Sequence, residues 1–79
     1  MSLSAQDIEQ LLQRELPDCN IMVEGGGGKF QVVATGDVFE GLNAVKRQQL
    51  IYKYLNPHIQ SGAVHAVSML LRTHNKAQS

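Results

Sequence analysis

"VEGGGGKFQVVA", residues Val23 to Ala34, passes from an apolar run through four consecutive glycines into a second apolar run. Glycine gives up more backbone freedom on folding than any other residue, so a Gly25–Gly28 cluster requires a turn, a close approach or a mobile loop. The flanks are strand-like. Beyond the glycines, "FQVVAT" carries β-branched and aromatic residues, with Phe30, Val32 and Ala34 on one face and Gln31, Val33 and Thr35 on the other. Before them, "IMVE" gives a first strand over Asn20–Glu24. The two strands pair across the glycines. Four glycines plus Lys29 are longer than a tight two-residue connection, which predicts a flexible projecting tip.

Working outward, Ser4 followed three residues later by Asp7 resembles a capping box, and Ile8, Leu11, Leu12, Glu15 and Leu16 then follow helical spacing. Pro17 ends that first helix, and "PDCN" turns into the first strand. From Leu42 to Leu55 the residues Leu42, Val45, Leu50, Ile51, Tyr54 and Leu55 recur at threes and fours, which gives a second helix. Asn56 and Pro57 form an N-cap and N1 pair, predicting a restart as a short third helix ending at Gly62. "AVHAVSMLL" is a third strand, with Val64, Ala66, Ser68 and Leu70 on one face and His65, Val67, Met69 and Leu71 on the other. "RTHNKAQS", from about Arg72, reads as a polar, frayed tail. The order α-β-β-α-α-β predicts a single α+β domain over residues 1–79, a three-stranded mixed sheet with helices on one face.

Composition narrows the classes of function. A chain of 79 residues buries only about 60% of its unfolded surface and leaves little room for an enclosed ligand cavity. No nucleophile, triad or paired-carboxylate arrangement presents itself, so an enzyme is not expected. One cysteine, Cys19, excludes an intramolecular disulfide and a zinc knuckle, and fits a reducing compartment. The N-terminus lacks a signal peptide's apolar region, and no stretch approaches the roughly 20 apolar residues of a membrane span, so a cytoplasmic location is expected. Net charge is zero, which removes long-range attraction to nucleic acid. The charge is nonetheless uneven. Lys46, Arg47 and Lys53 lie between Leu42 and Leu55 without an acid, whereas Asp7, Glu9, Glu15, Asp18 and Glu24 weight the N-terminal third.

Cys19, His58, His65 and His74 are the soft or borderline metal ligands, and none lie at the spacing of a self-contained site, so any metal would be shared with a partner. His65 opens an otherwise apolar strand, where an imidazole reads either as a hydrogen-bonded structural residue or as a ligand or catalytic group. Cys19, alone beside a turn, reads as inert filler ahead of a reactive thiol, and His58 and His74 as solvent-facing. The glycine run contains a GxxG like the one that clamps phosphates in KH domains, but here it joins two strands, not two helices. Lys46, Arg47 and Lys53 read as a solvated helix face or, in the sharper alternative, as a nucleic-acid or protein contact.

"FQVVATGDVFEGLNAVKRQQLIYKYL" and "VHAVSM" resemble the BolA family, most closely its IbaG (YrbA-like) branch. The resemblance covers Leu3 to about Leu71. Its most specific parts are Phe39, Gly41 and Arg47, the "VKRQQ" stretch, and a histidine followed by Ala66 at the start of the last strand. It implies an α-β-β-α-α-β fold with class II KH-like topology, in agreement with the order read from periodicity. It also implies a non-enzymatic adaptor with a role in stress response. Its partner would be a monothiol glutaredoxin, with a two-iron, two-sulfur (2Fe-2S) cluster held between the two proteins. The glutaredoxin would supply a cysteine and bound glutathione a second thiolate.

On this chain the resemblance places the family's cluster-binding histidine at His65. The family's second ligand is a Cys or His in the loop between the first two strands, and Lys29 stands where the IbaG branch carries histidine. Protonated lysine has no lone pair to donate. Three possibilities follow: Cys19 substitutes, solvent or a partner residue fills the position, or the cluster is bound weakly or not at all. The isolated chain, as a monomer or weak homodimer, is expected to bind none. The chain also lacks the "TPxEW"-like tail common in the family, which predicts a reduced docking surface. The alternative function is a KH-like transcriptional regulator that binds DNA through Lys46, Arg47 and Lys53. Gln48 and Gln49 replace more basic or imidazole residues of other branches there, which weakens it.

Overall fold

The first helix starts at a reciprocal cap: Ser4 Oγ accepts from the Asp7 amide at 3.1 Å, and the Asp7 carboxylate accepts from the Ser4 amide at 3.0 Å. In the computed structural model, which describes residues 3–73, this helix is α1, Ala5–Glu15. It buries Ile8 and Leu12. Gln13 Nε2 then donates to the Cys19 carbonyl at 2.7 Å and to the Leu16 carbonyl at 3.3 Å, holding the turn through Pro17 against the helix end.

That turn feeds β1, Asn20–Gly26, whose antiparallel partner is β2, Lys29–Thr35. Ile21 and Val23 face the core opposite Ala34 and Val32. The expected flexible tip is not there. Gly25 and Gly26 belong to the strand and pair with Phe30 and Lys29, leaving a two-residue turn of Gly27 and Gly28. Both have positive φ, 62° and 82°, the backbone signature of a type I′ hairpin turn, whose twist matches that of the flanking strands. The glycines therefore serve a tight turn, not a mobile loop.

After β2 a 3₁₀ turn, Asp37–Phe39, places Phe39 in the core with no exposed surface. Asn43 Oδ1 then accepts from the Lys46 amide at 2.9 Å and starts α2, Ala44–Gln60, two residues later than the apolar spacing suggested. The restart expected at Asn56–Pro57 does not occur, because α2 continues through Pro57. An interior proline costs about 3 kcal/mol through its missing N–H and ring clash. Ile51 and Leu55 are fully buried and Ile59 packs against the same core, four residues apart along one stripe that crosses the proline. Ile51 and Leu55 are buried before the proline is reached, and the packing of Ile59 beyond it, at about 1.5–3 kcal/mol for complete burial of such a side chain, offsets part of that cost. The helix end is also well capped. Ser61 N donates to the Pro57 carbonyl, Gly62 N to Ile59, and both Ser61 Oγ and Val64 N to His58.

The third strand, β3, is Ala66–Arg72 and pairs parallel to β2, giving the order β1-β2-β3 in one mixed sheet. It starts three residues later than expected, so His65 precedes it. Arg72, expected in the tail, pairs with Thr35 and accepts from Gly36 N at 2.9 Å, and Thr73 is buried. His74 and the remaining tail lie outside the described residues. Val67, Met69 and Leu71 face the helices, as the alternation predicts. On the other face Met22, Val33 and Leu70 share one register across the three strands, and Met22 and Leu70 are exposed. Among the described residues no helix is long and apolar enough to cross a membrane.

Arg47 ties the layers together. Its Nε donates to the Leu42 carbonyl at 2.8 Å and its terminal nitrogen to the Leu71 carbonyl at 3.0 Å, joining the approach to α2 with the far end of β3. Pro57→Ala, by restoring an amide in the last turn of α2, is expected to raise stability by about 1–2 kcal/mol, a gain reduced by the looser unfolded chain. A urea midpoint that falls would contradict this account of α2. Arg47→Ala is expected to cost about 2 kcal/mol in the same measurement, and Lys46→Ala less than about 0.5 kcal/mol.

Candidate functional site

Val64 is buried and its amide bonds to His58 at the end of α2, so the segment entering β3 has a fixed start. The next two amides, His65 and Ala66, both donate to the Gly28 carbonyl, at 2.7 and 3.0 Å. The backbone of His65 is thereby tied to the hairpin turn, while its side chain is exposed. The imidazole lies against Gly28, where a Cβ would overlap it. Around it is a shallow hollow of about 320 Å³, lined by both turn glycines, Gly27 and Gly28, together with Leu3, His65 and the segment Ser61, Gly62 and Ala63. The chemistry on offer is that of one accessible imidazole on a rigid backbone.

Lys29 and Cys19 are not brought to it. Lys29 pairs beside Ala66 at the exposed end of β2, on the face of the sheet opposite to Phe30 and Val32. Its ammonium group has donors and no acceptor, so in that form it is no metal ligand. Cys19 precedes β1, whereas the hairpin turn follows it. A seven-residue strand separates them, a span of about 20 Å. Among the described residues no three His, Cys, Asp or Glu side chains are grouped to hold a metal ion. A 2Fe-2S cluster needs four protein or thiolate ligands. The donor set here fits such a group only as one ligand to a cluster whose remaining ligands come from elsewhere.

The basic residues of α2 separate likewise. Arg47 is engaged with two backbone carbonyls and half-buried, while Lys46 and Lys53 are exposed seven residues apart. Lys53 Nζ lies 5.7 Å from the Tyr54 ring centroid. The structural role of Arg47 had a signal in the sequence: at i+4 and i+8 from it stand Ile51 and Leu55, so Arg47 lies along the buried line of the helix. The Gly28–His65 contact had none in the local pattern, because it depends on how β3 pairs with β2.

Cys19 is buried, with its Sγ against Gly36. Burial pushes its thiol pKa above the ordinary value, and the nearby Asp18 and Asp37 carboxylates add to the shift. Folding thus favours the neutral thiol. That contribution to stability is complete below the unfolded chain's thiol pKa and is lost as pH rises through the folded one. Alkylation by iodoacetamide at about pH 8 is expected to be at least ~10-fold slower in the folded chain than in urea, and equal rates would contradict the burial.

A family model described as BolA, BolA-like protein, matches residues 13–76. The acid stress protein IbaG of Escherichia coli (strain K12) is 38% identical over 63 residues, which are 80% of this chain and 75% of that protein. The structure of a bolA protein homologue from Coxiella burnetii superposes with a TM-score of 0.82 at 31% identity, covering 98% of this chain and 99% of that one. The BolA domain of SufE1 from Arabidopsis thaliana gives 0.83 at 28% identity, covering 92% and 94%. These chains share the two helices and the three-stranded mixed sheet described above. The chain belongs to the BolA family, in its IbaG branch.

Proposed function

We propose that this protein is a non-enzymatic, cytoplasmic adaptor that binds a monothiol glutaredoxin and donates His65 to a 2Fe-2S cluster shared with the glutaredoxin and its glutathione. One observation carries the reading: an accessible imidazole is held by its backbone to the hairpin turn, and the hollow around it is lined by no second His, Cys, Asp or Glu. A lone, well-placed donor is useful when another protein brings the rest of the coordination shell. Bound in this way, the cluster would supply electron-transfer or cluster-delivery chemistry. The chain's own part is to present His65 and to offer a surface around it. Lys29 and Cys19 contribute no ligand in this reading, so the position opposite His65 is filled by solvent or by the partner.

Two relatives point the same way. One is named an acid stress protein, which agrees with a role in stress response. Another BolA domain is part of SufE1 and shares this fold, so the fold occurs as a module joined to other proteins. The alternative, a KH-like regulator binding DNA through Lys46, Arg47 and Lys53, loses one of its three cations to the Leu42 and Leu71 carbonyls.

The test is a titration of the chain into a cluster-loaded monothiol glutaredoxin, followed by visible absorption and circular dichroism, with His65→Ala and Lys29→His in parallel. The expected result is a change in the cluster spectrum that His65→Ala abolishes. A larger change with Lys29→His would show that this position accepts a ligand when one is offered. Identical spectra for the unaltered chain and His65→Ala would overturn the assignment. Binding to duplex DNA that weakens steeply with salt, and is lost on Lys46→Ala, would favour the alternative.

A further inference from the structure

The hairpin turn does more than reverse the chain. Gly28 has φ +82°, is buried although it sits at the tip, and through one carbonyl accepts from two successive amides, His65 and Ala66. A Cβ built on Gly28 would overlap His65 Cδ2 and would lie 3.1 Å from Cγ and 3.2 Å from Nε2. Those two ring atoms flank Cδ2. Their near-equal and much larger distances mean that the ring meets this space with its Cδ2 corner, in the plane of the ring. A ring lying flat over the position would bring both flanking atoms almost as near as Cδ2 itself. The Cδ2 corner therefore fills the volume that any side chain at Gly28 would need, and the opposite edge of the ring, Nδ1 and Cε1, is turned away from the turn.

We propose that Gly28 is the positioning residue for His65: its missing Cβ forms the slot that receives the imidazole, and its carbonyl fixes the backbone beneath it, so that the ring is held in one orientation at the turn. This rests on the reading of His65 as the ligand. It adds that the residue type at the second turn position decides whether the ligand is presented at all. The neighbouring glycine makes a matched comparison. Gly27 also has positive φ, +62°, but a Cβ there would meet nothing within 4 Å. Alanine at either position strains the backbone, and at Gly28 alone it also displaces the ring.

The experiment compares Gly27→Ala and Gly28→Ala in the free chain, each with and without His65→Ala. The first readout is the nuclear Overhauser contact between His65 Hδ2 and the Gly28 Hα protons. The second is the urea midpoint. The contact is expected in the unaltered chain and in Gly27→Ala and is expected to be lost in Gly28→Ala. The midpoint drop caused by Gly28→Ala is expected to shrink to about half or less when His65→Ala has emptied the slot, whereas the drop from Gly27→Ala stays the same in both backgrounds. If Gly28→Ala alone fails to fold, recovery of folding in the double variant supports the slot, and failure of both counts against it. A contact retained in Gly28→Ala, or equal drops in both backgrounds, overturns the proposal. Neither readout needs a partner, so these outcomes are independent of whether a glutaredoxin binds. On mixing with cluster-loaded glutaredoxin, Gly28→Ala is expected to require at least ~10-fold more protein for the His65-dependent spectral change.

Discussion

The parallel pairing of β3 with β2 governs the arrangement of the whole chain. Parallel neighbours cannot be joined by a tight turn, so the residues between Thr35 and Ala66 must leave the sheet, cross it and return at the end where β2 began. The 3₁₀ turn and α2 make that crossing, and their apolar side chains cover one face of the sheet with Phe39, Ile51 and Leu55. Each end of β3 is held by a specific bond. At its start the Gly28 carbonyl receives two amides; near its end the Leu71 carbonyl receives the Arg47 guanidinium. Helix position, strand register and the placement of His65 are thus aspects of one pairing.

What the residues themselves revealed was whatever depends on near neighbours in the chain. The Ser4–Asp7 cap, the alternation in β2 and β3, and the threes and fours of α2 are local patterns that appear in the fold, although α2 starts two residues and β3 three residues later than expected, so that Val64 is buried and His65 exposed against the faces the alternation gave them. The failures share a cause too. Which two of four glycines form the turn depends on strand register. Pro57 signals a break locally, and the packing of Ile59 beyond it and the capped helix end work against that signal. Arg47 stands on the buried line of α2, a local signal, but the carbonyl it reaches belongs to the far strand. His65 stood out by its type, and the role proposed for it came from the family resemblance; that its ring rests on Gly28 could not be read without the pairing of β3.

The site differs from an enzyme cleft in where its polarity lies. The imidazole is exposed, the thiol is buried at the other end of a strand with two carboxylates beside it, and the ammonium of Lys29 belongs to the open face. An arrangement of this kind favours meeting another surface over enclosing a small molecule. The row of Met22, Val33 and Leu70 on the uncovered face is a second region where the chain leaves apolar surface in water, away from the helices.

The double acceptance by the Gly28 carbonyl also has a consequence in time. A two-residue hairpin closes within about 1–10 μs, because its partners are adjacent in sequence, whereas β3 pairs with β2 only when a loop of some thirty residues is closed. A chain in which α1 and the hairpin are already native still lacks the amides of His65 and Ala66 on the turn. The imidazole finds its place only when β3 pairs with β2, and it loses that place when the first rung of β3 opens. A surface that recognises the seated imidazole therefore distinguishes finished molecules from partly folded ones.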